Sequence, residues 1–248
     1  VFHCWKEGGH GFIDCNEAIS MSCDCYFYDL SLNLGIEKIS ETAKVFGLGE
    51  KYLDQIFPAS IGIVPNKQWK KKIFQSEWTK SDTIVASIGQ GFALSSPLQL
   101  AVMIARICTN GKLVNPKIIK NKEYNSKFDK IPILEEKIYS YVKQGMYNTV
   151  NNINGTAYQS REIKPNYFMA GKTATSQVRR ITMREREEGI IKNEDLPRKM
   201  RDHALFVGYF PHNRPRFAFS IVVEHGGSGS KTAAPIARDI CKKLVKII

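Results

Sequence analysis

The stretch FMAGKTATSQV, Phe168 to Val178, decides how the rest of the chain is read. An apolar run ends at Gly171, and Lys172, Thr173, Ala174, Thr175 and Ser176 follow it. β-Branched residues at alternate positions suit a strand. On a strand, alternate side chains share a face, so Lys172 and Ala174 point one way and Thr173 and Thr175 the other. At a sheet edge such a strand can add an extended peptide through its backbone, with an ammonium close to hold a carboxylate. An edge strand that carries a lysine only to discourage aggregation fits the same residues.

Downstream the β pattern continues. HALFVGYF and RFAFSIVVEHG are apolar, β-branched or aromatic runs, joined by PHNRPR (Pro211 to Arg216), a hairpin-loop signal. Arg179 to Asp202 is a charged excursion between strands. The end, APIARDICKKLVKII, is an amphipathic helix with Ile236, Ile240 and Leu244 at four-residue steps. Upstream the pattern is helical. NEAISMS and CYFYDLSLNLG predict a short helix and a buried one that stops at Gly35, and IEKISETAKVFG predicts an amphipathic third. Residues 50 to 90, rich in Trp, Lys and Pro, read as irregular. SSPLQLAVMIARICTNG predicts a helix with Ser96 as N-cap, Pro97 at its first position and Gly111 as its stop. Residues 135 to 150 predict another. The fold class is α+β: helices, then an antiparallel sheet flanked by helices, then a closing helix. The whole of 1–248 reads as one domain, with a mainly helical lobe over 1–150 and strands and closing helix over 151–248.

Lys and Arg exceed Asp and Glu by 36 to 24, a net charge of +12, which suits an acidic partner such as a carboxylate-bearing substrate. The basic residues are dispersed, and no zinc-finger spacing, RNA-binding aromatic signature or basic zipper is present, so nucleic acid is not expected. No run approaches the roughly 18 apolar residues of a membrane span. The chain opens at Val1 in mid-stream, and it reads as a piece of something longer whose N-terminal part carries an anchor. Four of the six cysteines, Cys4, Cys15, Cys23 and Cys25, cluster near His3 and His10, a metal hint as much as a disulfide hint. Cys108 and Cys241 fall on apolar helical faces as inert core thiols.

In SMSCDCYFY, Ser22 and Asp24 lie two apart at the turn between two short helices. A hydroxyl and a carboxylate there can project into a cleft, or one of them caps the following helix. The sets S-x-x-K, S-D-N and K-T-G mark penicillin-binding proteins and class A β-lactamases. With GGHGFIDCNEAISMSCDCYFYDL, SIGQGFALSSPLQLA, GMYNTVNNINGTAY, AGKTATSQV, RDHALFVGYFP and VVEHGGSGSKTAAPIARDI in this order, the sequence resembles the transpeptidase domain of class B penicillin-binding proteins, of the elongation type (penicillin-binding protein 2).

The resemblance implies a β-lactamase-like transpeptidase fold, incomplete at its N-terminus, and a peptidoglycan D,D-transpeptidase. A serine attacks the penultimate D-alanine carbonyl of a stem peptide, and an amine from a neighbouring stem resolves the acyl-enzyme. Ser22 would relay a proton to the leaving amine, with Asp24 at the motif's third position. Lys172 and Thr173 would bind the terminal carboxylate and polarise Ser22, and the Thr175 N–H would be one oxyanion donor. Ala174 stands where the family's K-T-G has glycine, on a strand lining the substrate, so weakened or lost activity is expected. No S-x-x-K tetrad precedes the serine corner. SGSK (Ser228 to Lys231) has the spacing but follows the last strand, so the nucleophile is expected upstream of Val1.

The chemistry needs no cofactor. Cys4, His10 and Cys23, spaced C-x5-H-x12-C, are thiolate, imidazole and thiolate donors that suit a structural zinc, and some similar proteins carry zinc near the second motif. Reduced thiols or a disulfide fit them too. Implied partners are peptidoglycan stem peptides, β-lactams, the elongation glycosyltransferase and cell-shape proteins. The parent protein would sit in the inner membrane with this domain facing the periplasm. Two other readings share the motifs. One is a non-catalytic cell-wall scaffold or remnant, favoured by Ala174 and the missing tetrad. The other is a serine β-lactamase or β-lactam sensor, disfavoured by the elongation-type stretches.

Overall fold

The computed structural model describes residues 2–53, 58–118, 131, 135–162, 167–179, 185 and 189–247. Two compact units emerge, Val1–Gly145 and Met146–Ile248. The division falls inside a helix, a few residues before the 150/151 boundary set from sequence.

The described part of the first unit is helical: α1 (Cys15–Met21), α2 (Asp24–Leu34), α3 (Ile36–Val45), α4 (Lys67–Phe74), α5 (Lys80–Ser87), α6 (Pro97–Cys108) and the start of α7 (Glu136–Asn151). Capping boxes fix three of them. Asp14 and Glu17 form a capping box at α1, Thr79 and Asp82 at α5, and Ser96 and Gln99 at α6, where Pro97 follows the cap as predicted. The Gln99 amide is buried and also donates to Glu50 O at 2.7 Å and Ile61 O at 3.0 Å, tying the preceding loop to α6.

Three sequence expectations are corrected. Residues 50–90 are not irregular throughout, because α4 and α5 lie within them. An eight-residue helix is marginal alone, and tertiary packing holds this one. Trp69, Phe74 and Phe92 cluster with ring centroids 5.1 to 5.6 Å apart. Lys70, buried in a run of exposed lysines, pairs with Asp82 at 2.6 Å and lies 5.9 Å from the Trp78 ring centre. Second, α2 is not buried along its length: Ser31 is its one buried residue. Third, neither Ser22 nor Asp24 caps α2. Cys23 holds the N-cap position without a side-chain bond, and Asp24 is the first helical residue.

In the second unit, β1 (Ala170–Ser176), β2 (His203–Phe210) and β3 (Phe217–Val223) form an antiparallel sheet in the order β1-β2-β3, and α8 (Ala234–Leu244) closes the chain. Thr173 pairs with Phe206, and Phe206 with Ile221. Directly paired residues share a face, so Thr173, Phe206 and Ile221 lie on the side where Phe206, Phe210 and Met169 meet Ala234, Ala237 and Cys241 of α8. Burial pushes the Cys108 thiol up to about 11 and the Cys241 thiol to about 12, so both are inert core groups as expected.

Between β3 and α8 a π-helical turn, Gly229–Ala233, crosses the sheet. Gly229 is buried, and a Cβ there would meet the carbonyl oxygens of Ala174 and Leu205 at under 3.0 Å. Gly229→Ala therefore has to separate the turn from β1 and β2. A loss of about 1–3 kcal/mol is expected, read as a lowered thermal midpoint; an unchanged midpoint would show that the contact does not constrain the fold.

Candidate functional site

The serine–aspartate corner is built where α1 ends. Ser22 is its C-cap, in the left-handed conformation at φ 54° and ψ 52°. A non-glycine residue there is strained by about 1–3 kcal/mol and persists only when its surroundings impose it. Trp5 is the visible restraint. Its indole Nε1–H donates to Ser22 O at 2.8 Å and to Met21 O at 3.2 Å, and its backbone N–H donates to Asp24 Oδ2 at 3.0 Å. The carboxylate of Asp24 also sits in the first turn of α2, where a helix favours negative charge. Directly after this left-handed residue the Cys23 N–H closes onto Ala18 O at 3.0 Å.

The same segment carries the cysteine–histidine group. Ligand atoms of Cys4, His10 and Cys23 all lie within 4.8 Å of one another, with Cys4 Sγ 3.4 Å from His10 Nδ1. Burial lowers the His10 pKa, with Lys6 adding to the effect and Asp24 opposing it, which favours the neutral, ligating imidazole. Burial raises the Cys23 thiol, a penalty that a bound cation would reverse by taking the thiolate. Two thiols and a neutral imidazole, brought together from separate turns, fit zinc in donor type and spacing. All six cysteines are free, so the disulfide alternative is not realised, and Cys25 is exposed. His3 is exposed and Cys15 lies in α1.

In the second unit, β1 is the edge strand of the described sheet. Its alternation is as predicted: Lys172 and Ala174 leave by one face, Thr173 and Thr175 by the other. The Lys172 ammonium donates to Thr173 O at 3.0 Å, so it folds back along the strand. Ala174 is exposed, and its methyl points away from the face that Gly229 covers. The Thr173 hydroxyl lies 2.7 Å from that of Thr156. Motif reading passed over both Thr156 and Trp5. Trp5 has no local signature, and Thr156 shows only in the turn-forming run NGT before an alanine.

Two runs of the chain have S-x-x-K spacing. SGSK begins at Ser228, whose hydroxyl accepts from Lys231 N at 3.3 Å and lies 3.0 Å from Ser230 Oγ; the Lys231 ammonium is exposed and 3.6 Å from Glu194. Ser140 to Lys143 lies on α7. There Ser140 donates to Glu136 O at 3.3 Å and Lys143 to Asn110 Oδ1 at 2.7 Å. Both serines are engaged in local helix or turn bonding, and each lysine faces a polar side chain from another segment, Glu194 or Asn110.

Similarity to known proteins follows the same outline. The family "Penicillin binding protein transpeptidase domain" matches residues 1–242. Peptidoglycan D,D-transpeptidase MrdA of Haemophilus influenzae is 35% identical over 247 residues, covering 96% of this chain and 37% of that protein. Penicillin-binding protein PBP2 of Helicobacter pylori, in its complex with MreC, superposes with a TM-score of 0.86 at 33% identity, covering 99% of this chain and 42% of that one. Pseudomonas aeruginosa PBP2, solved with WCK 5153, gives 0.80 at 31% identity, covering 96% and 49%. The chain spans little more than a third of the length of such curated relatives. With the family matched almost end to end and PBP2 structures as its neighbours, the chain belongs to the penicillin-binding protein transpeptidase family, as a class B domain of the PBP2 type.

Proposed function

We propose that the chain is the catalytic portion of an elongation-type peptidoglycan D,D-transpeptidase, with its acylated serine supplied by sequence ahead of Val1. The observation that carries this is the edge strand β1, which presents Lys172, Thr173 and Thr175 at consecutive and alternate positions. In this reading a stem peptide lies along β1. Its terminal carboxylate takes the Lys172 ammonium and the Thr173 hydroxyl. The serine Oγ attacks the penultimate D-alanine carbonyl, and the developing oxyanion takes the Thr175 N–H. The C–N bond breaks, and Ser22 passes a proton to the departing D-alanine amine. An amine of a neighbouring stem then attacks the ester and releases the serine. Asp24 keeps the Ser22 corner in place through Trp5. The strained Ser22 backbone supports such a role, since strain of this kind concentrates at functional sites.

Stem-peptide carboxylates and the net charge of +12 are complementary. Among the described residues no helix is long and apolar enough to cross a membrane. The reading places this portion in the periplasm with an anchor elsewhere in the protein. The complex formed by the H. pylori relative makes a cell-shape protein of the MreC kind the partner to look for, beside an elongation glycosyltransferase.

Fluorescent penicillin should label the full-length protein stably, and Lys172→Met should slow labelling roughly 100-fold. Rapid turnover of the label would instead mark a β-lactamase or a sensor. No label on a folded protein would mark a scaffold, the reading that Ala174 favours.

A structural zinc at Cys4, His10 and Cys23 belongs to the same proposal. It would tie residues 4–10 to the Ser22 corner and take no part in bond making. The purified full-length protein should then carry stoichiometric zinc, lost in Cys4→Ser. Chelation should expose the half-buried Cys4 to alkylation at neutral pH, while Cys108 and Cys241, held protonated by burial, stay unlabelled until the protein unfolds. Trace metal with Cys4 freely alkylated before any chelation would overturn it.

A further inference from the structure

The 2.7 Å contact between the hydroxyls of Thr156 and Thr173 assigns a task to a residue outside the three motifs. Thr156 lies in the turn after α7, and the turn is fixed from several sides. The Gly155 N–H donates to Asn152 O at 2.9 Å, the Ala157 N–H to Thr149 O at 2.9 Å and the Tyr158 N–H to Gly155 O at 3.1 Å. A Cβ at Gly155 would strike the carbonyl oxygens of Asn148 and Thr149 at under 3.0 Å. Ala157 is buried in the same core as Phe206 and Ala237. A second tie runs alongside. The Asn151 amide at the end of α7 donates to Met169 O at 2.9 Å, one residue before β1. Met169 and Thr173 are four residues apart, roughly 13 Å along a strand. The turn is thus pinned to β1 at two places, and Thr156 has little freedom to move relative to Thr173.

A threonine side chain can offer either its hydroxyl or its methyl in a given direction, and its χ1 is stiff. Thr156 settles that choice at Thr173. It also sets the direction of the proton. A carboxylate accepts only, so Thr173 must donate to it. The Thr173 oxygen must then accept, and the Thr156 hydroxyl is the donor beside it. Two hydroxyls in series polarise one another and strengthen the outer bond.

We propose that Thr156 is a positioning residue that presents the Thr173 hydroxyl, as a donor, to the carboxylate of the bound peptide or β-lactam. This rests on the transpeptidase reading, because it presumes that Thr173 meets a carboxylate.

The test uses the full-length protein, a fluorescent penicillin, and penicillin V or its methyl ester as competitors. The expected result is that Thr156→Val slows acylation by the free acid about tenfold. Acylation by the ester should be little changed, so the preference for a free carboxylate contracts. Thr156→Ser should restore that preference. Thr156→Val should add nothing further in a Thr173→Val background. A Thr156→Val protein that keeps the wild-type preference for the free acid would overturn the inference alone. So would one that slows acid and ester equally, with serine failing to rescue, since that is how a general packing defect behaves. A folded wild-type protein that takes no label from any penicillin would overturn the transpeptidase reading, and this inference with it.

Discussion

The second unit depends on one close approach: the Gly229 turn resting on the backbone of β1 and β2. A side chain there would meet the carbonyls of Ala174 and Leu205, so the turn reaches the sheet only because residue 229 has none. That contact brings the chain from the end of β3 onto the core face and starts α8, whose Ala234, Ala237 and Cys241 fill the space over Phe206. It also braces the segment of β1 that carries the lysine and threonines. The hydrophobic core and the strand presenting the candidate site therefore share a support. A protein interior is close-packed, and a displacement at the turn is transmitted to the strand.

The first unit meets a comparable demand with a tryptophan. Trp5 is more exposed than most large apolar residues, at 61%, yet its polar atoms account for much of the order around Ser22. Its indole N–H satisfies carbonyls at the end of α1 that a helix leaves without partners. Its backbone N–H meets the Asp24 carboxylate, and its ring stands edge-on to His10 with centroids 5.6 Å apart. Residues 4–10 and 21–24 lie on either side of α1's first turns and are linked here by the backbone and indole N–H groups of Trp5. The cysteine–histidine group lies at the same junction.

This division explains what was legible. Features governed by local rules were readable in sequence. Ser96–Pro97 announces α6 through capping and φ preference. The two strands around PHNRPR follow from apolar runs and a turn, and the alternation in β1 follows from the strand period. Features governed by distant contacts were not readable. α4 looks like a solvated lysine run until Asp82, Trp78 and Phe92 gather round Lys70. The left-handed Ser22 cannot be inferred from serine, whose local preferences point to capping the next helix instead. The members of the cysteine–histidine group could be picked out by type and spacing, but their convergence needed the fold. Trp5 and Thr156 act only through tertiary contacts and left no periodic or motif signal.

The same geometry bears on Ala174. Glycine can be required for two different reasons, backbone conformation and lack of room, and β1 separates them by face. On the core face the close contact at this position is made by Gly229, and there a Cβ is excluded. On the opposite face the Ala174 methyl is exposed. Among the described residues nothing in the packing of the sheet therefore demands glycine at residue 174, and alanine is accommodated there. Whatever constraint glycine meets in the K-T-G pattern must come from the material that lies against that exposed face. In the transpeptidase reading proposed above, the consequence of alanine falls on the peptide along β1 and not on folding. A methyl at 174 leaves the lysine and both threonines in register, and it narrows the space beside them.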